Sequence, residues 1–498
     1  MKEIFRVLFS HIEVPNYELG SCPTLERQLS YYDSSAHTLI PKGYIYDSER
    51  RCLLIPRAID LYYLEQILDR NAVMEHQPIT KPKKIKVVLT TEPRDDEQRQ
   101  SLAFLLGVGD YSYTKNYSQL GLNLATGMGK TFSGVAATTL YGERTLIITH
   151  VDKIKKQWTK SYLDFTDIKE DEIVDITGSD IIDHILGYEK MYRTESKNKE
   201  LDTHIRHAKV FTVNHRTLQI YGSSNGWSNI GELFTKLKIG TKIYDECHLE
   251  LNNIVYVDLY TDVKRTLYLT ATMKRSDREE NRLFEFMFRH MPRFGEKLVE
   301  NKRKHINYIA CIFNSHPLMS DVKNMRTYYG FNTMNYSNYF GNSENSIIML
   351  IEMINKFLDK EGKILIMCGT IDACDKIKNE LEKEFSNIEI GIYHSKVSAN
   401  IKEEQLDKKI IVSTSKSCGT GVDIRGLRFL INCETYSSSV TADQVCGRLR
   451  EYSPDDFSIY CEIIDRGFLD CYRMYKNREK VFKTKCNKIA VLDLTKKK

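Results

Sequence analysis

Short apolar runs alternate with longer amphipathic stretches over most of the chain. The runs, rich in β-branched and large apolar residues, predict strands, and the stretches between them predict helices. This alternation is typical of βαβ units on parallel sheets, and it occurs in two successive blocks. The strands predicted for the first block are Leu122–Leu124, Thr145–Thr149, Val210–Val213, Lys242–Tyr244 and Thr266–Leu269. Those predicted for the second are Tyr308–Phe313, Lys363–Met367, Glu389–Tyr393, Lys409–Ser413, Phe429–Ile431 and Ser458–Ile464.

The N-terminal residues follow a different pattern. Seven of the ten prolines lie before residue 94. Leu39–Tyr46 and Arg51–Ile55 predict strands around a turn, and the apolar stripe within Leu61–Leu68 predicts a helix. The proline- and lysine-rich stretch His76–Lys86 predicts an extended linker. We therefore expect a small, separate α+β module before the two α/β blocks.

These patterns predict an α/β protein with four segments. Residues 1–88 form the N-terminal module, residues 89–300 the first α/β domain and residues 301–482 the second. Residues 483–498 are predicted to be a basic C-terminal tail, because the stretch from Arg473 onward is rich in lysine and arginine and is expected to fray.

Composition narrows the class of protein. Hydrophobic residues make up 41% and charged residues 28%, and the net charge is +5, which permits a nucleic-acid partner without requiring one. The twelve cysteines form no CxxC pair, so neither a zinc ribbon nor a disulfide framework is indicated. No apolar run is long enough for a signal peptide or a membrane span. We expect a cytoplasmic protein with reduced thiols and no membrane partner.

A glycine-rich segment follows the first strand of the first block and precedes a helix. Glycines in such a turn let backbone N–H groups approach phosphate oxygens, and the helix N-terminus favours negative charge. The lysine would pair with the β- and γ-phosphates, and the threonine hydroxyl would reach Mg²⁺. Leu124 stands where the general phosphate-loop form has its leading glycine. The predicted nucleotide contacts are Ala125, Thr126, Gly127, Met128, Gly129, Lys130 and Thr131.

An acidic pair directly follows a later strand. Asp245 and Glu246 come at the carboxyl end of Lys242–Tyr244, where ligands bind in open α/β sheets. Asp245 is suited to hold Mg²⁺, and Glu246 to polarise an attacking water as general base. A solvated acidic turn is the alternative, but a phosphate loop upstream favours nucleotide hydrolysis. The sequence therefore predicts an ATP-hydrolysing site that uses Mg²⁺ on Thr131 and Asp245.

These motifs resemble those of superfamily 2 helicases of the DExH type. The first and second motifs correspond to Ala125–Thr131 and Asp245–His248, and the resemblance continues in chain order. The further matches are Thr270–Thr272 to the third motif, Gly419–Ile424 to the fifth, Gln444–Arg448 to the start of the sixth, and Gln98 to the glutamine that reads adenine. Arg94 lies one residue off the usual spacing to Gln98.

The resemblance implies that the two blocks are tandem RecA-like domains. It also implies roles for single residues. His248, Thr270 and Thr272 would couple hydrolysis to strand movement, and Gly421 and Asp423 would contact the nucleotide. Gln444 would belong to the catalytic set.

The resemblance further implies an arginine from the second block at the γ-phosphoryl group. Such an arginine contributes roughly 10³–10⁵ in rate. Arg448 and Arg450 are the candidates, but the family usually spaces its two arginines three residues apart, and Glu451 stands three after Arg448. On a helix the shift rotates the second side chain by about 100°. Either arginine therefore remains a candidate.

A translocase of this family needs contacts to the sugar–phosphate backbone that do not depend on the base. Small hydroxyl residues and amides at strand ends suit this purpose. Taken singly, each also fits a helix-capping role. The candidates are Thr149, His150, Lys153, Thr212 and Asn214 in the first block, and Thr370, His394, Ser395 and Thr414 in the second.

Within superfamily 2, the short chain, the DECH box and the N-terminal module resemble phage UvsW-type helicases. XPB and the poxviral transcript-release helicase are more distant resemblances. The likeness implies an ATP-dependent DNA helicase or translocase that remodels forks and Holliday junctions in replication, recombination and repair, in the host cytoplasm if the protein is viral. Basic residues of the module suggest that it binds duplex or junction DNA; they include Lys42, Arg50, Arg51 and Arg57.

Three other functions share parts of this pattern. An RNA helicase or transcript-release translocase has the same motor motifs. A motor subunit of a restriction or repair assembly is a second alternative. A non-enzymatic adaptor is disfavoured by the intact motif residues. We expect single-stranded and branched duplex DNA as partner, with RNA as the alternative, and a monomeric motor.

Overall fold

The computed structural model describes residues 3–33, 37–124, 127–188, 195–271, 277–295, 304–328, 330–418, 422, 424–449 and 456–496, without the side chains of residues 195–197, 399, 439, 440, 443, 444 and 496. Its contacts divide the chain into two units, Met1–Asn301 and Lys302–Lys498. In the described part of the chain, no helix has the length and apolar character needed to cross a membrane.

The first unit begins with a small mixed sheet. Its order is β5-β6-β2-β1-β7, and β1 pairs with β7 in parallel while the other pairs are antiparallel. Asp60 starts the second helix, because its carboxylate accepts hydrogen bonds from the Tyr62 and Tyr63 amides. The elements are β1 (Ile4–Val7), β2 (His11–Val14), α1 (Pro23–Gln28), β3 (Ser30–Asp33), β4 (Thr38–Pro41), β5 (Ile45–Asp47), β6 (Cys52–Pro56), α2 (Leu61–Leu68) and β7 (Asn71–Met74).

A seven-stranded parallel sheet follows in the same unit, in the order β10-β11-β9-β12-β13-β8-β14. Its central strands are buried on both faces, which explains their continuous apolar sequences. The strands are β8 (Gln119–Asn123), β9 (Thr145–Thr149), β10 (Ile173–Ile176), β11 (Val210–Asn214), β12 (Thr241–Asp245), β13 (Arg265–Thr270) and β14 (Arg293–Phe294). The helices are α3 (Asp96–Leu106), α4 (Lys130–Tyr141), α5 (Asp152–Phe165), α6 (Ser179–Leu186), α7 (Glu195–His207), α8 (His215–Asn225), α9 (Ser228–Leu237), α10 (Leu251–Tyr260) and α11 (Arg278–Met287).

The N-terminal residues are built onto this sheet domain. Buried side chains from both parts, among them Phe5 and Leu25 on one side and Leu283 on the other, form one continuous core cluster. Asp262 adds a polar tie, since its carboxylate accepts from the amides of Phe9 at 2.9 Å and Ile79 at 2.9 Å. The N-terminal residues therefore share a core with the first α/β domain, in contrast to the separate module expected from their composition.

The second unit is also a seven-stranded parallel sheet, ordered β19-β20-β18-β21-β22-β15-β23. The strands of its main sheet are β15 (Ile306–Phe313), β18 (Lys363–Cys368), β19 (Ile390–Tyr393), β20 (Ile410–Thr414), β21 (Leu427–Asn432), β22 (Ser458–Asp465) and β23 (Lys488–Asp493). A hairpin is formed by β16 (Arg326–Thr327) and β17 (Gly330–Phe331). The helices are α12 (Met319–Asn324), α13 (Thr333–Asn342), α14 (Glu344–Leu358), α15 (Ile371–Glu384), α16 (Ala399–Lys402), α17 (Ser415–Cys418), α18 (Ser439–Cys446) and α19 (Leu469–Lys485).

The fold class predicted from the sequence is confirmed: two tandem RecA-like parallel-sheet domains follow a small α+β part. The expectation of a fraying basic tail at residues 483–498 is wrong. Lys488–Asp493 form the edge strand β23, which pairs in parallel with β15 from Asn307 to Ile312. Lys488 is compatible with the edge position because its side chain stays exposed.

A buried ion pair lies between β22 and α19 in the second unit. Arg478 Nη2 donates to Glu462 Oε1, and both side chains are 1% exposed. The Tyr308 hydroxyl donates to the other carboxylate oxygen at 2.5 Å. Because a buried charge is costly once its partner is removed, each half of the pair depends on the other.

We expect Arg478→Met to lower the free energy of unfolding by about 3–5 kcal/mol, since Glu462 would be left buried without its cation. Urea unfolding would measure this loss. The double variant Arg478→Met/Glu462→Gln should recover much of it. The control is Arg473→Met on the same helix, whose side chain is 73% exposed. Equal stability of the two single variants would contradict the importance of the pair.

Candidate active site

The phosphate loop is shaped by two glycines at positive φ. Gly127 and Gly129 both have φ of +85°, a conformation that favours glycine. A Cβ on Gly129 would lie 2.2 Å from Nε2 of Gln98, so the buried Gln98 amide packs directly on the loop. Met128 between the glycines is buried. Ala125 and Thr126 lie outside the described residues.

The helix α4 starts at Lys130, directly after this loop. Thr131 occupies its first turn and is half-buried. The twelve-residue helix directs its free N–H groups and the positive end of its dipole toward the loop. Gln98 Oε1 accepts from the Arg94 amide at 2.8 Å, and Arg94 Nη2 lies 3.5 Å from the Gly127 carbonyl. The adenine-reading candidate and the phosphate loop are therefore adjacent.

The acidic pair of the DECH box lies beside the phosphate-loop lysine. Lys130 Nζ donates to Glu246 Oε1 at 3.1 Å. Asp245 ends β12, where its Oδ1 accepts from the Glu246 amide at 3.0 Å and its Oδ2 from Trp158 Nε1 at 2.8 Å. Glu246 has φ of +50°, an unfavourable conformation for a non-glycine residue of the kind often found at functional sites. The structure thus brings together the predicted lysine, metal ligand and base.

The two carboxylates differ in their acidity. Burial, and then repulsion by Glu246, raises the pKa of Asp245 to about 6. Burial alone would raise the pKa of Glu246 as well, but the charge of Lys130 and then that of His248 outweigh it and hold that pKa below its usual range. Glu246 is thus kept ionised, as a base must be, while Asp245 carries an unfavourable charge that a bound cation would relieve.

We expect Asp245→Asn to stabilise the metal-free protein above pH 6. The unfolded chain has a carboxyl pKa near 4, whereas the folded value is about 6, so the folded state holds this proton more tightly. The contribution of Asp245 therefore becomes less favourable as pH rises from about 4 to 6. Melting in EDTA should give the variant a higher Tm at pH 8 and an unchanged Tm at pH 4.

The exposed Asp164→Asn is the matched control for this measurement. A difference between wild type and Asp245→Asn that stays constant from pH 4 to pH 8 would contradict the raised pKa.

His248 links the acidic pair to the third motif. Its Nδ1 lies 2.7 Å from the hydroxyl oxygen of Thr270 at the end of β13 and 3.4 Å from Glu246 Oε2. Glu246, His248 and Thr270 therefore form a continuous polar chain across neighbouring strands. Thr272, the third residue of the predicted coupling set, lies outside the described residues.

These residues fit a magnesium–nucleotide complex. The positive-φ glycines and the α4 N-terminus form a cradle for phosphates. Lys130 is held by Glu246 at 3.1 Å, so it is poised beside the place where a γ-phosphoryl group would bind. Among the described residues no cluster of three or more metal-ligating side chains occurs. Thr131 and Asp245 are the residues that would hold Mg²⁺ beside a bound nucleotide.

With one exception, the strand-binding candidates of the first unit form a group at or just after the carboxyl ends of β9 and β11. Thr149 donates to Asn214 Oδ1 at 2.9 Å, which joins the ends of β9 and β11. His150 Nδ1 lies 2.7 Å from Glu250 Oε1, and this hydrogen bond raises the histidine pKa. Lys153 follows on α5 and is exposed. Thr212 does not join this group, because it is buried in the middle of β11 and donates to Asp175 at 3.1 Å.

The candidates of the second unit lie at the carboxyl ends of its strands. Thr370 N-caps α15 after β18 and donates to Asn338 at 2.5 Å. His394 follows β19, is buried and lies 3.0 Å from Asp375, whereas Ser395 is exposed. Thr414 ends β20 and accepts from the Ser417 amide at 3.2 Å. These side chains share one edge of the sheet, as predicted.

The sixth-motif residues are described in part. Arg448 follows α18, and its Nη1 donates at 3.0 Å to the carbonyl of Val422 within the fifth motif. The fifth and sixth motifs are therefore in contact. Gln444 lies on α18, but its side chain is outside the described set. In the fifth and sixth motifs, the predicted residues Gly421, Asp423 and Arg450 also lie outside the described residues.

Sequence reasoning assigned no role to Trp158, which is 1% exposed and donates to Asp245. Its ring also packs on α4, since a Cβ on Gly134 would lie 2.7 Å from it. Trp158 therefore fixes both the Asp245 carboxylate and α4. The available sequence signal was a tryptophan on the helix after β9. Because Trp158 and Asp245 are 87 residues apart, the sequence did not indicate their hydrogen bond.

Two models of known sequence families match separate parts of the chain. A family model described as "Type III restriction enzyme, res subunit" matches residues 84–275, and one described as "Helicase conserved C-terminal domain" matches residues 346–451. Together these matches cover more than half of the chain. No curated protein sequence matches it.

Solved structures share the fold at low sequence identity. Dbp5 of S. cerevisiae bound to RNA and ADP BeF3 is 12% identical with a TM-score of 0.50, over 80% of this chain and 89% of that one. The ATP-dependent Type ISP restriction-modification enzyme LlaBIII bound to DNA is 16% identical with a TM-score of 0.53, over 81% of this chain and 31% of that one. T4 UvsW is 13% identical with a TM-score of 0.37, over 99% and 100%, and this score is too low to support an inference.

Proposed function

The chain is a superfamily 2 helicase, an ATP-hydrolysing enzyme, and from that premise we propose that it translocates on DNA and remodels branched DNA such as forks and Holliday junctions. The observation that carries the motor function is the contiguous set Lys130–Glu246–His248–Thr270 beside a glycine-shaped phosphate loop. This set contains the groups that hydrolysis and its coupling to movement require.

The chemistry of this proposal uses groups already in place. Glu246 holds the attacking water and takes its proton, because its carboxylate is kept ionised. Lys130 leaves Glu246 Oε1 to pair with the γ-phosphoryl oxygens, which frees that carboxylate oxygen for the water. Magnesium, when bound, neutralises phosphate charge. When Lys130 leaves Glu246, the electrostatic environment of His248 changes. His248 passes this change to Thr270 at the end of β13 through their hydrogen bond.

Support for DNA as substrate comes from two sources. The family model covering the ATP site is named for a restriction-enzyme subunit, and LlaBIII was solved bound to DNA. The Dbp5 complex with RNA favours the second candidate, an RNA helicase. We further propose that the enzyme uses Mg²⁺, acts as a monomer in the cytoplasm, and serves replication, recombination or repair, in a phage or viral setting.

The N-terminal residues contribute less free positive charge than their composition suggests. Arg50 pairs with Glu13 at 2.8 Å, Arg51 with Glu18 at 2.5 Å. Lys42 lies 3.6 Å from Glu280. Removing residues 1–80 would also expose the core that they share with the sheet domain. A test of their role in substrate choice therefore requires point variants instead of a truncation.

The substrate is tested by ATP turnover with single-stranded DNA, RNA of the same sequence, and a forked DNA, each across a range of salt concentrations. We expect the fork to stimulate turnover most and RNA least, with stimulation falling steeply with salt. Lys130→Ala, which removes the phosphate contact, supplies the background rate. Stimulation by RNA alone would replace the DNA proposal with the RNA helicase, and no stimulation by any nucleic acid would refute both.

A further inference from the structure

Arg57 has no acceptor for its charge in the described part of the chain. It lies between β6 and α2 and is half-buried, and its buried Nε makes no hydrogen bond there. Buried cations elsewhere in the first unit are satisfied: Lys242 pairs with Asp258 at 2.6 Å, and Arg144 donates to main-chain carbonyls such as Ala208 at 2.9 Å. A desolvated guanidinium without such partners is unfavourable, so this site suits an anion.

Arg57 lines a cavity of about 280 Å³ where the N-terminal residues meet the sheet domain. Gln119 also lines this cavity, and its buried Oε1 accepts no hydrogen bond from the described residues. Tyr62, 71% exposed, stands at the rim. The carboxylate in the lining is Asp60, which caps α2 and lies 3.4 Å from His290 Nε2. It is therefore occupied by partners other than Arg57.

A second cavity of about 450 Å³ adjoins the first, since both are lined by Tyr117 and Ser118. Of the described residues that line it, four are basic and none is acidic. We call the joint surface the basic seam; its cations are Arg57, Lys84, Lys115, Lys264 and Arg265.

Behind the seam, one carboxylate holds three of these cations. Glu143 is 0% exposed and contacts Lys84 at 2.7 Å, Lys264 at 3.1 Å and Arg265 at 3.0 Å. Burial alone would raise the pKa of Glu143, but these cations hold it below its usual range. Three positive charges against one negative charge leave the cluster net positive. The Arg265 guanidinium lies 4.3 Å from the Tyr141 ring, which fixes its plane.

The seam lies at the opposite edge of the sheet from the ATP site. Gln119 starts β8, and Asn123 at the other end leads into the phosphate loop. Arg265 likewise starts β13, whose last residue is Thr270 of the coupling set. Five residues of strand separate the two edges by about 15 Å. The strand-end candidates Thr149 and His150 lie on the ATP side, so the seam is a distinct surface.

We propose that the basic seam binds backbone phosphates of a duplex arm of the nucleic acid on which the motor acts. This inference rests on the proposed function. Arginine and lysine in concave sites bind phosphate without reading sequence, as a translocase substrate requires. A single strand bound by the strand-end candidates would lie at the other edge of the sheet. The seam is therefore left for a part of the substrate that extends beyond those candidates. A duplex arm of a fork is such a part.

The test compares two doubly substituted proteins that each lose two positive charges. Arg57→Gln/Lys115→Gln changes the seam without touching the cations held by Glu143. Lys160→Gln/Lys323→Gln removes two exposed lysines elsewhere. Binding of a fluorescent forked DNA and of a single strand of equal length is measured by anisotropy at several salt concentrations. We expect the seam variant to lose about two from its log–log salt slope on the fork, with the single-strand slope unchanged.

Each outcome decides the inference. If the seam variant has the same salt slope on the fork as wild type and the lysine control, the proposed role of the seam is overturned. An equal loss of salt slope on the single strand also overturns it, because the single strand itself would then bind at the seam. A Tm of Arg57→Gln well below wild type also overturns it, because a guanidinium awaiting a ligand contributes no stability alone. ATP turnover stimulated by a single strand should survive in the seam variant. Its absence in wild type would instead refute the proposed function.

Discussion

Glu246→Gln is expected to lower nucleic-acid-stimulated ATP turnover by roughly 10²–10⁴-fold while ATP still binds. The amide oxygen can still accept a hydrogen bond from Lys130, which now donates to Glu246 Oε1 at 3.1 Å. The amide cannot take a proton from water. Asp245 and Thr131 are unchanged, so the metal site persists. The expected phenotype is a stalled enzyme with bound nucleotide.

One binding measurement and one control variant separate this loss of the base from a loss of structure. Fluorescent ATP-analogue binding should be within a few-fold of wild type in Glu246→Gln and strongly weakened in Lys130→Ala. Glu170→Gln, an exposed carboxylate in the same unit, controls for the change of charge. If Glu246→Gln retained full turnover, the general base would have to be another residue.

A substitution of His248 tests the coupling of hydrolysis to nucleic-acid binding. Because His248 lies between Glu246 Oε2 and the Thr270 hydroxyl, substitution of His248 by alanine should break the connection while leaving Lys130, Asp245 and Glu246 in place. We expect turnover that responds less to nucleic acid.

The central strands and the position of the glycine-rich loop could be predicted because each depends on local sequence. A strand buried on both faces reads as a continuous apolar run, and Thr145–Thr149 has the predicted bounds. The loop residues, with Asp245 and Glu246, are placed by the strand ends that they follow. The meeting of Lys130 with Glu246 then follows from the parallel sheet.

Other features depend on contacts distant in sequence. The edge strand Lys488–Asp493 contains a short apolar run, but the run lies in a lysine-rich segment and its side chains are largely exposed, so only its pairing with the distant strand β15 identifies it. The shared core beneath the N-terminal sheet joins residues more than two hundred positions apart, such as Phe5 and Leu283. The sequence around Arg57 predicts a surface cation. Its burial results from packing against the sheet domain, which local sequence does not reveal. The contact of Trp158 with Asp245 could not be predicted for the same reason.

Arg448→Ala is expected to reduce stimulated turnover by about 10³–10⁵-fold if Arg448 supplies the cation at the γ-phosphoryl group. The structure gives Arg448 a fixed position, because its Nη1 donates to Val422 of the fifth motif at 3.0 Å. An arginine that acts in the transition state changes turnover far more than ATP affinity. Arg448→Lys should recover little, since an ammonium lacks the planar fork of donors.

The matched substitution is Arg450→Ala, which removes the second candidate with the same change of side chain. A larger loss in Arg448→Ala assigns the role to Arg448, whereas the reverse order transfers it to Arg450. A purely structural role for Arg448 would lower the urea midpoint of the alanine variant together with its turnover, through the lost bond to Val422. The bond to one carbonyl contributes about 1 kcal/mol to stability, a loss that urea unfolding detects. An unchanged midpoint with lost turnover would therefore establish a catalytic role.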